Sequence, residues 1–155
     1  MRVLVCGGRD FDERELVWRT LDQYQENYGP LTVIQGGAPG ADCWARDWAY
    51  GQTPVREVTL VSVPADWEKW GSAAGPQRNH LMLDQKPDIV LAFPGGRGTA
   101  DMIARAEQAG VEIVKVGWTA CRRASSSAAT SRTVPGCYCR CRSVLGEYRC
   151  QSASE

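Results

Sequence analysis

The sequence DIVLAFPGGRGT at residues 88–99 decides the fold. Its first half is an almost uninterrupted apolar run, which is typical of a strand covered on both faces of a sheet. Its second half is a glycine-rich turn, after which Met102, Ile103, Ala106 and Ala109 recur at helical spacing. The stretch therefore predicts a buried strand that leads through a glycine-rich loop into a helix, with Gly110 at the helix end.

The same alternation runs through the first 116 residues. Apolar runs predict five strands, at Arg2–Cys6, Leu31–Gln35, Val55–Val63, Asp88–Phe93 and Val111–Val116. Helical patterns lie between them, one of which begins near Pro76. Asp12 is the predicted N-cap of the first helix, with Glu15 as its capping-box partner. Strands separated by helices indicate an α/β fold, a single Rossmann-like, doubly wound and mostly parallel five-stranded sheet.

Ligands of such sheets bind outside the carboxyl ends of the strands. Most of the glycine-rich and charged loop residues fall at these predicted ends. The candidate ligand-binding residues are Gly7, Gly8, Arg9, Asp10, Gly36, Gly37, Gly40, Asp42, Asp66, Trp67, Gly95, Gly96, Arg97, Gly98 and Thr99. Two glycine-rich loops in one sheet favour a phosphate-bearing ligand, because glycine permits close approach and a helix N-terminus offers free N–H groups to an anion. A turn that needs only a positive φ is the alternative interpretation of each loop.

Four aspartates, Asp10, Asp42, Asp66 and Asp101, are expected to face one crevice from four strand ends. Carboxylates that cluster raise one another's pKa, which suits acid–base chemistry. Each of them has a structural alternative, as a helix cap, a loop brace or a partner of a helix dipole.

Four of the tryptophans are predicted to lie either in the core or beside the candidate site. Trp44 and Trp48 lie on an apolar helical face and are predicted to be core residues. Trp67 and Trp70 flank the third loop, where they either pack or stack a purine base. His80 is the only histidine, which excludes multi-histidine metal sites, and it is predicted to be a helix-surface or core residue rather than a catalyst.

Five motifs occur in order: Gly7-Gly8-Arg9-Asp10, Gly36-Gly37-Ala38-x-Gly40-Ala41-Asp42, Pro64-Ala65-Asp66-Trp67, Gly75-Pro76-x-Arg78-Asn79 and Pro94-Gly95-Gly96-x-Gly98-Thr99-Ala100-Asp101-Met102. Together, over about residues 1–117, they resemble the YspA, cpYpsA-related branch of the SLOG superfamily. That superfamily also contains the LOG phosphoribohydrolases and the DprA/Smf proteins. The resemblance implies a Rossmann-like fold that binds nucleotides or nucleotide-derived ligands, as a sensor or processor in bacterial and phage conflict systems.

The resemblance also implies the roles of three further residues. LOG-type enzymes pair an arginine with a glutamate in a Pro-Gly-Gly-x-Gly-Thr-x-Glu motif and cleave the N-glycosidic bond of a nucleoside 5′-monophosphate. Arg78 and Asp101 match that pair and are the candidate catalytic residues, although Asp101 is one methylene shorter than glutamate. Asn79, beside Arg78 in its motif, is a candidate ligand-binding residue.

Three hypotheses of function follow. The first is a protein that binds a nucleotide-derived small molecule as sensor or processor, with no cofactor of its own. The second is a phosphoribohydrolase-like enzyme. The third is a DprA-like protein associated with single-stranded DNA, against which the net charge of −4 over residues 1–118 argues.

Composition separates a tail from this body. Residues 119–155 hold six arginines against two glutamates, seven serines and only three large aliphatic side chains. Such a segment buries too little apolar surface to offset its ordering entropy, so we expect it to be disordered and place the domain boundary at Trp118. Four tail cysteines, Cys137, Cys139, Cys141 and Cys150, offer enough thiols for zinc, but Cys-x-Cys spacing argues against a metal site.

No apolar run approaches the roughly 20 residues of a membrane helix, and the N-terminus is too short an apolar stretch for a signal peptide. We therefore expect a cytoplasmic protein with no membrane partner, in which Cys6 and Cys43 are small buried hydrophobes. The ligand's identity and association into a homo-oligomer stay open.

Overall fold

The computed structural model describes residues 1–52 and 57–118. Its strands are β1 (Arg2–Cys6), β2 (Leu31–Gln35), β3 (Val58–Ser62), β4 (Ile89–Ala92) and β5 (Glu112–Lys115). They form one sheet in the order β3-β2-β1-β4-β5, in which all neighbours are parallel. The predicted Rossmann-like five-stranded α/β sheet is confirmed.

The helices connect the strands. They are α1 (Arg14–Tyr28), α2 (Ala41–Gln52), α3 (Trp67–Trp70), α4 (Ala74–Asp84) and α5 (Arg97–Gln108), with a short 3₁₀ turn at Gly71–Ala73 between α3 and α4. Among the described residues, no helix is both long enough and apolar enough to cross a bilayer.

The chain starts in the middle of the sheet. Val3 of β1 lies opposite Val33 of β2 on one side and Ile89 of β4 on the other. The first half of the chain builds outward from β1 to β3, and the second half returns to the opposite side of β1. The order of the strands therefore reverses between β1 and β4, and a parallel sheet opens a crevice for ligands at such a point.

Successive strand residues enter two separate cores, as the two-residue period of a strand requires. Val3 and Val5 belong to the core that α1 and α2 cover, whereas Leu4 and Cys6 belong to the core of α4 and α5. The buried helix residues of the two cores include Val17, Leu21, Trp48, Met82, Met102 and Ile103. Both faces of the sheet are covered, which explains the continuous apolar runs of β1 and β4.

The beginning of α1 differs from the prediction. The helix begins at Arg14 with Glu13 at the N-cap position, and no side chain caps it. Asp12 accepts only through its backbone carbonyl, from the N–H of Arg14 at 2.8 Å. Phe11 is buried against the ring of Phe93, with 5.4 Å between ring centroids, so residues 12 and 13 serve as the turn between this anchor and the helix. The predicted capping role of Asp12 is wrong.

The end of α5 agrees with the prediction. Gly110 has a φ of 71°, and its N–H donates to the carbonyl of Glu107. The N–H of Val111 donates to the carbonyl of Ala106 at 3.0 Å. These two bonds form a Schellman motif, which needs glycine at the left-handed position.

The third strand is described only from Val58, and residues 55 and 56 of its predicted span lie outside the described residues. The predicted tail, with the four cysteines considered for a zinc site, also lies outside them. The last described residue is Trp118, whose indole N–H donates to the carbonyl of Ala92 at 2.8 Å. This bond joins the segment after β5 to the end of β4.

A chain that ends at Trp118 is expected to keep its melting temperature within about 4 °C of the full-length value, because the sheet is complete by that residue. Thermal denaturation followed by circular dichroism measures this. A chain that ends at Gly110 is the matched control: it lacks β5 and the Trp118 bond and should be strongly destabilised. Insolubility or a large loss of stability on truncation at Trp118 would place the boundary elsewhere.

Candidate functional site

Two loops meet at the point where the strand order reverses. The β1 loop (residues 7–10) follows β1, and the β4 loop (residues 94–96) follows β4. The N–H of Gly8 donates to the carbonyl of Pro94 at 2.9 Å. A Cβ on Gly95 would stand 2.5 Å from the nitrogen of Gly8 and 2.9 Å from the carbonyl carbon of Gly7. Glycine is therefore required here so that the two backbones can touch.

The β2 loop (residues 36–40) joins the same assembly. Gly40 has a φ of 79°, and a Cβ on it would collide with the carbonyl oxygen of Gly8. The N–H of Gly37 donates to Oε1 of Gln35 at 2.5 Å, and Nε2 of Gln35 donates to Ser62. Several glycines predicted to contact a ligand therefore have a packing role between loops.

Gly96 and Gly98 differ from these glycines. Both are exposed, and a Cβ on either would meet no atom within 4 Å. Gly96 is the N-cap of α5 and supplies no capping side chain. The first intrahelical bond runs from the N–H of Ala100 to the carbonyl of Gly96 at 3.1 Å, so the amides ahead of Ala100 have no partner within the helix. This end of α5 is an exposed, positively polarised surface.

Thr99 and Arg97 complete the first turn of α5. Thr99 is 4% exposed, and its Oγ1 lies where a Cβ on Gly95 would stand. Arg97 is exposed at the helix start. The structure thus places Arg97 at the open surface and Thr99 beneath it.

Asp42 is buried at the first turn of α2 and holds the β2 loop. Its Oδ2 accepts from the N–H of Gly36 at 3.0 Å and from the N–H of Ala38 at 3.4 Å. Burial raises the pKa of Asp42 to about 6, against the opposing effects of the Arg78 charge and of the backbone N–H donors. The structural alternative, a loop brace, is the role that these contacts give Asp42.

Arg78 extends from α4 along the β2 loop. Its Nη1 donates to the carbonyl of Gly36 at 3.3 Å, and its Nη2 donates to Oδ1 of Asn79 at 3.2 Å. Its Nε is buried and has no hydrogen-bond partner among the described residues. A guanidinium has five N–H donors, so Arg78 keeps donors for a further acceptor.

Asn79 links Arg78 to Asp101. It is 2% exposed, and its Nδ2 donates to Oδ2 of Asp101 at 2.9 Å and to the carbonyl of Gly98 at 3.1 Å. The Nε of Arg105 also donates to Oδ2 of Asp101, at 2.8 Å. The structure therefore joins the two candidate catalytic residues, Arg78 and Asp101, through Asn79.

The charge of Asp101 is set by this network. Burial raises its pKa, but the bonds from Arg105 and Asn79 more than offset that effect, so the pKa lies below its usual value. Arg105 was missed from the sequence, although its position four residues after Asp101 on a helix is typical of an ion pair. Asp101 is a charged carboxylate at neutral pH.

The remaining aspartates do not join the network. Asp66 caps α3 and accepts from the N–H of Lys69 at 2.9 Å. Asp10 is exposed and makes no hydrogen bond or ion pair with the described residues. The expectation that clustered carboxylates raise one another's pKa is wrong for Asp42 and Asp101, because burial raises the pKa of Asp42 and the Arg105 and Asn79 donors lower the pKa of Asp101.

The aromatic residues follow the predicted division in part. Trp48 is 1% exposed in the core, whereas Trp44 is half-buried and packs against that core. Trp67 is 51% exposed, and the guanidinium carbon of Arg9 lies 5.5 Å from its ring centroid. Trp70 is 45% exposed. The Arg9–Trp67 pair joins the segments that follow β1 and β3, on either side of β2.

The cysteine and histidine predictions have mixed outcomes. Cys6 is buried, and burial raises the pKa of its thiol to about 12. Cys43 is only half-buried, so the prediction that both are buried holds for Cys6 alone. His80 is exposed, with Nε2 3.8 Å from Oδ2 of Asp84.

Two surface hollows, of about 490 Å³ at the start of α1 against Trp44 and about 420 Å³ beside Gly29 and Pro30, lie away from the glycine-rich loops. Within residues 1–52 and 57–118, no group of three or more potential metal ligands comes together.

Asp42 should make stability depend on pH. Because its pKa is higher in the folded chain than in the unfolded chain, the folded chain holds the proton between about pH 4 and pH 6. The free energy of unfolding should therefore fall through that window by roughly 3 kcal/mol. Asp42→Asn keeps an oxygen for both loop amides but does not titrate. The free energy of unfolding of Asp42→Asn minus that of the natural chain should therefore increase by roughly 3 kcal/mol from pH 4 to pH 7.

Urea unfolding of both chains across this pH range measures the difference. Asp42→Ala is the control, since it lacks the acceptor and should be less stable than Asp42→Asn at every pH. Parallel pH profiles for the natural chain and Asp42→Asn would contradict the buried, braced carboxyl.

Comparisons with known proteins agree with this geometry. The sequence profile of the YspA, cpYpsA-related SLOG family matches residues 1–70, which include the β1 and β2 loops and the Arg9–Trp67 pair. The chain is also similar to the Gene 61 protein of Mycobacterium phage D29, at 40% identity over 121 residues that cover 75% of this chain and 96% of that protein. The chain belongs to the YspA, cpYpsA-related SLOG family.

Proposed function

We propose that the chain binds a nucleotide-derived ligand in the crevice between the carboxyl ends of β1 and β4, with the ligand's phosphate on the N-terminus of α5. The observation that carries this proposal is the exposed first turn of α5, where Gly96 and Gly98 leave backbone amides open to an anion. Membership of the family, whose members are associated with nucleotide-related functions, supports the same class of ligand.

The electrostatics of the turn are compatible with a phosphate. Residues 1–118 carry a net charge of −4, so attraction of an anion depends on local groups rather than on the whole molecule. The Asp101 carboxylate, which would otherwise repel a phosphate, is paired with Arg105 at 2.8 Å. The helix dipole and Arg97 then supply the local positive potential.

Arg78 supplies the second anchor. It is fixed by Gly36 and Asn79, yet its Nε is buried without a partner. Its Nη1 and Nη2 each make one hydrogen bond to the described residues and keep a second N–H, to which a ligand oxygen would bind. We therefore assign Arg78 the role of holding the ligand's negative charge.

The phosphoribohydrolase alternative is less well supported. A carboxylate in this position would stabilise an oxocarbenium-like centre only if it could approach the sugar. Oδ2 of Asp101 is held by Asn79 and Arg105, and the side chain is one methylene shorter than the glutamate of LOG-type enzymes. These contacts favour binding over cleavage.

The single-stranded DNA alternative has no specific support in the site. A strand-binding groove needs a continuous basic surface, and the described body is acidic overall. The candidate site holds three arginines, Arg9, Arg78 and Arg97, in a body with an excess of acidic residues. A small ligand fits this arrangement better.

Gly96→Asp should abolish ligand binding, because it places a carboxylate where the phosphate would bind. The chain is titrated by calorimetry and thermal shift with AMP, ADP-ribose, NAD and cyclic nucleotides at up to millimolar concentration. At least one of these ligands should stabilise the natural chain. Gly96→Asp should lower the affinity for that ligand at least tenfold. The variant should still fold, because aspartate is a good N-cap.

Two controls separate charge from bulk and position. Gly96→Ala adds a Cβ into open space and should retain binding, and Gly51→Asp makes the same charge change in open space near the far end of α2. Chromatography of the AMP sample afterwards distinguishes binding from N-glycosidic cleavage. No stabilisation of the natural chain by any ligand would refute the proposal.

A further inference from the structure

The contact between Arg9 and Trp67 joins two separate parts of the chain. Arg9 follows β1 and Trp67 begins α3 after β3, and β2 lies between these strands in the sheet. The other cation–ring contacts among the described residues join residues no more than four apart in sequence. The Arg9–Trp67 contact is therefore a product of the fold rather than of local helix geometry.

The two partners are held very differently. Cη2 of Trp67 lies 4.0 Å from the position that a Cβ on Gly75 would take, so the ring rests on the first turn of α4, the helix that carries Arg78. The Arg9 guanidinium makes no hydrogen bond or ion pair with the described residues, and its contact is the ring of Trp67 at 5.5 Å. The ring is supported by α4, whereas the guanidinium is held, among the described residues, by its contact with the ring.

The pair also lies at a suitable distance from the proposed phosphate site. Arg9 follows β1, α5 follows β4, and β1 and β4 are neighbours in the sheet. Trp67 follows β3, which is three strands from β4. Neighbouring strands are about 4.8 Å apart, so the pair spans one to three strand spacings, roughly 5–14 Å, from the strand that leads into α5. A nucleoside monophosphate with its phosphate on α5 would bring its base to this pair.

We infer that Arg9 and Trp67 form a clamp for a purine base, which makes the ligand a purine nucleotide; this inference rests on the proposed function. A flat base needs about 3.5 Å on each face, so its insertion would widen the 5.5 Å contact to about 7 Å by movement of Arg9. The base would then be stacked on an indole and covered by a guanidinium. A purine covers both partners better than a pyrimidine does.

The test compares AMP with ribose 5-phosphate, which has the sugar and phosphate but no base. Calorimetry should show that Trp67→Ala lowers the affinity for AMP at least tenfold, because a base–aromatic contact is lost. Arg9→Ala should lower the same affinity about three- to tenfold, because a base–cation contact is lost. The affinities of the natural chain, Trp67→Ala and Arg9→Ala for ribose 5-phosphate should agree within about twofold. Trp67→Phe should restore most of the AMP affinity, and CMP should bind the natural chain more weakly than AMP.

Trp70→Ala is the matched control, because Trp70 is similarly exposed on the same short helix. It should bind AMP as the natural chain does. If ribose 5-phosphate binds but AMP binds no more tightly, or Trp67→Ala and Trp70→Ala have equal effects, the clamp is wrong and the phosphate site stands. If neither ligand binds, the proposed function and the clamp fail together.

Discussion

The close approach of the β1 and β4 loops is the constraint on which the rest of the site depends. The N–H of Gly8 reaches the carbonyl of Pro94 at 2.9 Å, and no side chain fits between the two backbones at Gly8 or Gly95. This contact fixes the start of α5 directly beside the end of β1. Because β1 and β4 flank the reversal of strand order, it also sets the width of the crevice.

The glycine-rich motifs therefore serve two purposes. Gly8, Gly40 and Gly95 let three loops pack on one another, whereas Gly96 and Gly98 are open, at the turn where we propose that a phosphate binds. Polar side chains then hold the packed loops, through Asp42 on one side and the Arg78–Asn79–Asp101 network on the other. This division explains why a motif that predicts phosphate binding also contains glycines at which the loops pack on one another.

The sequence predicted the sheet and the crevice because they depend on local patterns. Apolar runs locate the strands, and parallel connections bring their carboxyl ends to one edge. The cap of α1 was missed because burial of Phe11, a tertiary contact, determines where that helix begins. The Arg9–Trp67 pair, far apart in sequence, has no local pattern that could reveal it. The Asp101–Arg105 ion pair does have a local sequence pattern, because its two residues are four positions apart on one helix.

The most direct test of the central claim is a crystal structure of the chain grown with AMP. Phosphate oxygens should lie within hydrogen-bond distance of the amides at residues 97–99, with a further oxygen at Arg78. A phosphate bound elsewhere, for example in the hollow beside Trp44 at the start of α1, would contradict it.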